Sequence, residues 1–339
     1  MRTIDAYSHV LPRAYRDALA ERSGGTHAIA DLLEAIPALV DVDERLALMD
    51  RHGVDEQVLV PATPAVETVA DRVGAAELAR VANDGIAEIV DAHPDRFHGV
   101  ATVAMNNPTA MVEELDRAVG DRGLDGVLLY SSVDDRPATD AHIEGAGRPI
   151  DGEEFEPFYE RVADYDVPIW LHPARPKTNP DYLGELESKY LIWQMFGWPY
   201  ELSAAMARLV FSGVLDRHDL TVIAHHAGAM VPLLAGRMGV HYDLFEMTGD
   251  RVSEAAAKPY VDEFRRFYAD TATFGSVPAL RTAYEFFGPD RLLFGTDAPF
   301  DSEGGDRALG ENRRALENLE LDQSARERLL AGNAAGLLG

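Results

Sequence analysis

Four apolar runs in this 339-residue chain each end on a side chain that can bind a metal ion. They are Ile4-Asp5-Ala6-Tyr7-Ser8-His9, Val167-Pro168-Ile169-Trp170-Leu171-His172, Leu220-Thr221-Val222-Ile223-Ala224-His225-His226 and Leu292-Leu293-Phe294-Gly295-Thr296-Asp297. A short apolar run of this kind reads as a buried strand, so its imidazole or carboxylate falls at the strand's carboxyl end. Barrels of parallel strands build their active sites at that end. Imidazole and carboxylate are also what a divalent transition metal takes when thiolate is absent, and the chain has no cysteine. One such run would carry little weight. Four point to a metal-dependent barrel.

The rest of the pattern agrees. Strand-like runs fall at roughly 2–9, 55–60, 97–103, 125–130, 167–172, 220–225, 267–271 and 291–296. Helical periodicity separates most of them, at about 42–52, 67–92, 109–120, 154–165, 200–214, 276–287, 305–319 and 323–335. Asp322 suits an N-cap and Pro199 a first helical turn. Alternating strands and helices argue for a parallel sheet covered on both faces. Eight repeats close into an α/β fold of the (β/α)8 TIM-barrel type, expected here as one domain over residues 1–339. Two irregular stretches, 131–152 and 173–198, follow strands and read as extended βα loops that shape a pocket.

Composition limits the partners. The net charge is -27, and the only lysines are Lys177, Lys189 and Lys258. Such a surface repels nucleic-acid phosphates and anionic lipid, so neither is an expected partner. No run approaches the ~18 apolar residues of a membrane span, and residues from Thr3 onward enter a strand pattern without a signal-peptide layout. A cytoplasmic protein with a small-molecule partner is the expectation, with a homodimer as the oligomer to consider. Gly24-Gly25 and Gly304-Gly305 lack the strand-turn-helix setting of a phosphate cradle, so no nucleotide cofactor is expected.

Several segments together resemble the amidohydrolase superfamily, in the branch of aminocarboxymuconate-semialdehyde decarboxylase and related aromatic-acid decarboxylases and hydrolases. Ile4-Asp5-Ala6-Tyr7-Ser8-His9-Val10-Leu11-Pro12 resembles the branch's Asp-x-His-x-His-x-x-Pro strand. Asp50-Arg51-His52-Gly53-Val54-Asp55 resembles its helix-to-second-strand junction, and Ile169-Trp170-Leu171-His172-Pro173 its fifth strand. His226-Ala227-Gly228-Ala229-Met230-Val231-Pro232 with Gly236-Arg237 resembles its His-Gly-Gly-x-x-x-Pro segment. Arg291 through Phe300 resembles its final strand, and Gly332-Asn333-Ala334-Ala335 its last helix. The order is kept over essentially the whole chain.

The resemblance implies a metal-dependent barrel with His9 and His172 as ligands. It implies Asp297 as a ligand or proton-handling carboxylate, and His226 as the catalytic histidine, with its neighbour His225 able to exchange roles with it by a one-residue register slip. It also implies a divalent metal, zinc in the first place and manganese in the second. The departure is Tyr7, where the pattern has a second histidine. A phenol with a pKa of about 10 is a poor neutral ligand. A phenolate ligand, a three-ligand site and a site without tightly held metal all compete, and the reduced site is preferred. Trp198, Asp270, Thr271 and Tyr7 are candidate substrate contacts. For Asp270, orienting a histidine or capping a helix is the competing role. Glu201 is the one carboxylate placed to replace the ligand lost at Tyr7, and Arg237 reads as pinning a loop to a carboxylate. His27, His52, His93, His98, His142, His218 and His241 read as solvated or satisfied in the core.

Three functions are weighed. The leading one is decarboxylation of a small planar unsaturated or aromatic carboxylate, with His226 or Asp297 supplying the proton. The second is metal-dependent hydrolysis of a C–N, C–O or C–C bond at the same site, and the third a degenerate barrel that binds a ligand without turnover.

Overall fold

In the computed structural model, which describes residues 1–22, 36–133 and 147–338, eight parallel strands lie side by side in chain order. They are β1 Ile4–Val10, β2 Glu56–Pro61, β3 Phe97–Ala101, β4 Gly126–Tyr130, β5 Ile169–His172, β6 Val222–Ala224, β7 Tyr268–Asp270 and β8 Leu292–Leu293. Each coincides with one of the apolar runs. The architecture is the TIM barrel. Every residue of β1, β4, β5 and β6 is buried, as a sheet covered on both faces requires. His27, Gly24-Gly25 and His142 lie outside the described residues, as does 134–146 of the first irregular stretch.

The barrel closes where β8 meets β1. Ala6 N donates to Phe294 O at 2.7 Å, His9 N to Ala298 O at 2.7 Å, and Asp297 N to Tyr7 O at 3.0 Å. Buried side chains add a clasp across the same seam. Asp5 Oδ1 accepts from Thr296 N at 3.0 Å, and Asp5 Oδ2 accepts from Thr296 Oγ1 at 2.7 Å and Gln57 Nε2 at 3.0 Å. Gln57 Oε1 in turn accepts from the buried guanidinium of Arg45 at 3.0 Å, and Arg45 also donates to His9 O. Burial pushes the Asp5 carboxyl up to about 7, against the lowering effect of Thr296 and Gln57. Burial likewise lowers Arg45 to about 10, which the Asp5 charge opposes.

Inside the barrel, Trp170 on β5 donates from Nε1 to Ala6 O at 2.9 Å. Gly126 on β4 makes room for it, since a Cβ there would stand 2.3 Å from the indole ring.

Helix starts follow local chemistry. Asp322 accepts from Ala325 N at 2.7 Å as an N-cap, and Pro199 sits in the first turn of helix Trp198–Phe211. The helix expected from residue 67 begins at Arg72, because Asp71 caps it by accepting from Gly74 N at 2.9 Å. Among the described residues, the helices Arg13–Arg22 and Val231–Glu246 and the short Tyr260–Phe264 lie beyond the periodic pattern. Among the described residues no helix is long and apolar enough to cross a membrane.

The clasp yields the first prediction. Asp5→Ala leaves the Thr296 and Gln57 donors unpaired and Arg45 without its balancing carboxylate. It should lower unfolding stability by about 3–5 kcal/mol. Asp5→Asn, which keeps shape and half the acceptors, should cost clearly less. Equal denaturation midpoints for Asp5→Ala and the unaltered protein would remove the clasp from the account of closure.

Candidate active site

The carboxyl ends of the strands converge on one buried cluster. β1 brings Tyr7 and His9, β5 brings His172, β7 brings Asp270, and the segments after β6 and β8 bring His225 and Asp297. The rings of His9 and His172 lie 5.2 Å apart, those of His172 and His225 5.2 Å, and those of His9 and His225 5.9 Å. His9 Nε2 is 3.0 Å from Asp297 Oδ1. The contact lacks hydrogen-bond alignment, and neither ring nitrogen of His9 has a hydrogen-bond partner. His172 donates from Nδ1 to Pro173 O at 2.7 Å, which fixes the tautomer and leaves Nε2 as the acceptor. Burial and the neighbouring His225 hold the His172 pKa well below its usual value, so the ring is neutral.

His225 is fully buried between two carboxylates. Its Nδ1 pairs with Asp270 Oδ2, and its Nε2 lies 3.3 Å from Asp297 Oδ1. Burial opposes charge on this ring, but Asp270 and then Asp297 outweigh it and raise the pKa to about 9. With both nitrogens facing acceptors, the imidazolium is the form that satisfies the geometry. Burial also opposes charge on Asp297, yet His225 and His9 hold its carboxyl well below the usual range.

Asp270 does a second job. Its Oδ1 accepts from Ala227 N at 3.0 Å and Ala272 N at 2.9 Å, and its Oδ2 from His226 N at 3.2 Å. The bonds from His226 and Ala227 hold a left-handed turn, with φ of 52° at His226, 57° at Ala227, 75° at Gly228 and 56° at Ala229. Such backbone is costly for residues with a Cβ and persists where the surroundings over-determine it. The turn sends His225 into the cluster and lays His226 across it, ring centroids 3.8 Å apart. His226 is half-buried, 6.4 Å from Trp198 and 6.1 Å from Phe274. Burial and then His225 lower its pKa to about 4, so this ring is neutral.

Tyr7 is buried and stacks on His225 at 3.8 Å with the rings 9° apart. Its hydroxyl has no hydrogen-bond partner among the described residues. Burial, with a smaller contribution from Asp270, pushes the phenol's pKa well above its usual value. In the absence of a metal ion the phenol is therefore held neutral. Trp198 is fixed by its Nε1 donating to Arg175 O at 2.9 Å and stands edge-on to His172 at 5.6 Å. Phe300 lies 5.2 Å from His9.

Other sequence candidates are placed elsewhere. Thr271 Oγ1 donates to Gly295 O at 3.1 Å and so joins β7 to β8. Glu201 is buried and accepts from four donors. Its Oε1 takes Ser132 Oγ at 2.8 Å, and its Oε2 takes Ser131 Oγ at 3.0 Å, Ala174 N at 2.9 Å and Arg175 N at 2.5 Å. It fastens two loops rather than replacing a ligand at Tyr7. Arg237 is exposed and makes no ion pair with a described residue. His225 was weighed in sequence only as a register alternative to His226. Its signal was the two-residue strand period, which puts Ile223 and His225 on one face. Phe274 and Phe300 had none.

The donor set fits a metal ion. His9, His172 and His225 offer ligand atoms within 4.8 Å of one another, and so do His225, His226 and Asp297. The buried, unpaired nitrogens of His9 are what a missing cation would leave behind. The ligand chemistry, all imidazole and carboxylate, suits a first-row divalent ion.

Comparison with known proteins bears on this site. The amidohydrolase family model matches residues 4–339. Gamma-resorcylate decarboxylase of Polaromonas sp. is 31% identical over 303 residues, covering 88% of each chain. The crystal structure of a 2,6-dihydroxybenzoate decarboxylase complexed with 2,6-dihydroxybenzoate superposes with a TM-score of 0.82 at 28% identity, covering 99% of both chains. That of a Polaromonas sp. dihydroxybenzoic acid decarboxylase, with bound manganese and the inhibitor 2-nitroresorcinol, gives 0.81 at 29% identity, covering 99% of this chain and 96% of that one.

Glu201 generates the second prediction. Glu201→Ala removes the acceptor shared by four donors and should cost about 2–4 kcal/mol, while metal content stays at the wild-type level. Thermal unfolding and metal analysis of the same sample read both quantities. Loss of metal in this variant would make Glu201 a ligand after all.

Proposed function

This chain belongs to the amidohydrolase family, and from that premise we propose that it is a metal-dependent carboxy-lyase that removes CO2 from a small aromatic carboxylate. The observation that carries the reading is His225 held as an imidazolium between Asp270 and Asp297. Decarboxylation of an aromatic acid needs a proton delivered to the ring carbon that bears the carboxylate. Hydrolysis needs a base instead. Support comes also from the relatives, whose names give hydroxylated benzoates as substrates, and from the flat walls that Trp198 and Phe300 set beside His172 and His9.

His9, His172 and Asp297 would hold the metal, with Tyr7 standing aside as a neutral phenol. A divalent cation bound there, manganese or zinc, supplies positive charge that orients the substrate oxygens. The residues of the chain then do the rest. Trp198 and Phe300 stack on the planar substrate and exclude water. His225 gives its proton to the ring carbon. The bond from that carbon to the carboxylate breaks, its electron pair restores the aromatic ring, and CO2 leaves. His225 is now neutral and regains a proton from solvent, while Asp270 keeps its orientation throughout. His226, neutral beside it, is the second proton-handling candidate, because the two rings have been driven to opposite protonation states.

Metal content tests the ligand set. His172→Ala should remove most bound metal with the fold intact, whereas Tyr7→Phe should retain it. Loss of metal in Tyr7→Phe to the same extent would make Tyr7 a ligand and refute the three-ligand site.

Turnover tests the chemistry. With 2,6-dihydroxybenzoate as the first probe, CO2 release should fall by on the order of 100-fold or more in His225→Asn. Because the active form is the imidazolium, kcat should decline as pH rises through about 9, the value to which Asp270 and Asp297 raise His225. Asp270→Asn removes the larger of those two influences and should move that limb toward acid. A crippled His226→Asn beside a near-normal His225→Asn would transfer the role to His226. Substrate turnover without CO2 would reject the decarboxylase reading.

A further inference from the structure

Trp198 reaches the site from the end of the irregular stretch 173–198 rather than from a strand. Its place beside His172 therefore depends on how that stretch is braced. Three supports meet it. Its Nε1 donates to Arg175 O at 2.9 Å. Gly197, just before it, lies so close to the Arg175 side chain that a Cβ there would stand 2.5 Å from Arg175 Cδ. Trp193 packs edge-to-face on its indole, with ring centroids 5.4 Å apart and planes at 79°.

These supports trace back to Asp181. Its Oδ1 accepts from Arg175 Nη2 at 3.3 Å, a nitrogen that also donates to the carbonyls of Asn179 and Pro180. Its Oδ2 accepts from the buried Ser188 Oγ at 2.6 Å, and that Oγ accepts in turn from Trp193 N at 3.0 Å. One carboxylate thus ties down both the residue to which Trp198 donates and the residue on which it packs. Between Ser188 and Trp193 the chain passes through left-handed backbone at Tyr190 and Leu191, with φ of 58° at each. Such backbone is costly for residues with a Cβ and persists only where something holds it. Tyr190 is 90% exposed and Leu191 55%, so their own packing supplies little of that hold. The bonds of Ser188 supply it, including Ser188 N donating to Lys177 O at 2.8 Å.

We propose, on the reading of Trp198 as a wall of the substrate pocket, that Asp181 is a positioning residue. It fixes the attitude of Trp198 beside the histidine cluster and so sets how tightly a flat ring is held, without touching that ring. An indole held in place meets the substrate already ordered. Freed from Arg175 and Trp193, the same side chain spreads over several rotamers, and each binding event has to order it again. The loss falls on affinity, because a wall grips the substrate equally in the ground state and the transition state. Proton delivery from His225, which Asp270 orients from β7, is left as it was.

Two measurements on the manganese-loaded full chain test this. One is CO2 release from 2,6-dihydroxybenzoate. The other is calorimetric binding of the same acid in a His225→Asn background, where turnover is suppressed. Asp181→Ala should raise KM and the dissociation constant about tenfold, the scale of a lost aromatic contact, with kcat within about threefold and its alkaline limb unmoved. Asp181→Asn, which still accepts from Ser188 and Arg175, should recover most of the loss. Glu187→Ala, which breaks the exposed ion pair to Lys177 in the same stretch, should change neither quantity. Trp198→Ala should weaken binding at least as much, and Asp181→Ala added to it should weaken binding no further, because both act through one side chain. Tryptophan emission gives a reading free of any ligand. With Trp193 replaced by Phe, only the buried Trp170 and Trp198 remain, and Asp181→Ala should then raise acrylamide quenching. If Asp181→Ala fails to fold, Ser188→Ala, which cuts only the arm to Trp193, carries the same tests. Unchanged quenching, or additive effects of Asp181→Ala and Trp198→Ala, would overturn the positioning role. So would raised quenching with unchanged affinity, which would put Trp198 outside the pocket. No CO2 from the unaltered protein, with the binding changes as expected, would instead reject the decarboxylase reading and leave Asp181 in its role.

Discussion

The seam between β1 and β8 is the constraint on which the rest of the molecule depends. A parallel barrel has to bring its last strand beside its first across nearly 300 residues of intervening chain, and here a buried carboxylate secures the join. Asp5 sits two residues before Tyr7 and four before His9, and Thr296 immediately precedes Asp297. One set of hydrogen bonds therefore fixes the fold's closure and the separation of the groups that face each other in the active site. The same cost of burial that raises the Asp5 pKa is offset by a chain of donors ending on Arg45, a side chain from an outer helix. Closure and site geometry cannot be altered independently.

Much of this was legible in the sequence because strands and candidate ligands share one signal. An apolar run that stops at His or Asp announces both a buried strand and what it presents, so the eight strands and the positions of His9, His172 and Asp297 could be read directly. The helix Val231–Glu246 escaped because periodicity reveals a helix only through contrast between faces, and this one is apolar on both. The adjacent pair His225-His226 was ambiguous for a different reason. Which ring enters the cluster is decided by a left-handed turn at non-glycine residues, and local propensity argues against such a turn. It exists because Asp270, 45 residues after His225, accepts the backbone N–H groups of His226 and Ala227 to hold it. No pattern within the segment could disclose that.

Glu201 illustrates the opposite error. As a lone carboxylate beside a pocket loop it had the chemistry of a ligand, and its placement near a position that had lost one made the substitution attractive. What sequence cannot count is how many donors converge on an oxygen. With two serine hydroxyls and two backbone amides already bound, Glu201 is committed to fastening loops.

The neutral phenol at Tyr7 has a consequence for the sign of the field inside the barrel. On the proposed reading the imidazolium of His225 and the carboxylate of Asp270 cancel. A doubly charged cation beside two neutral imidazoles and the single carboxylate of Asp297 then leaves one uncompensated positive charge. A carboxylate at position 7 would have erased it. The protein as a whole is strongly acidic and repels anions at a distance, but ionic screening confines that repulsion to about 8–10 Å at ordinary salt. Inside that range the pocket is cationic, and a singly charged acid that reaches it brings the site to neutrality. After CO2 departs, the neutral product has no such hold. With no carboxylate at position 7, the site on this reading grips its substrate and releases its product through the same charge.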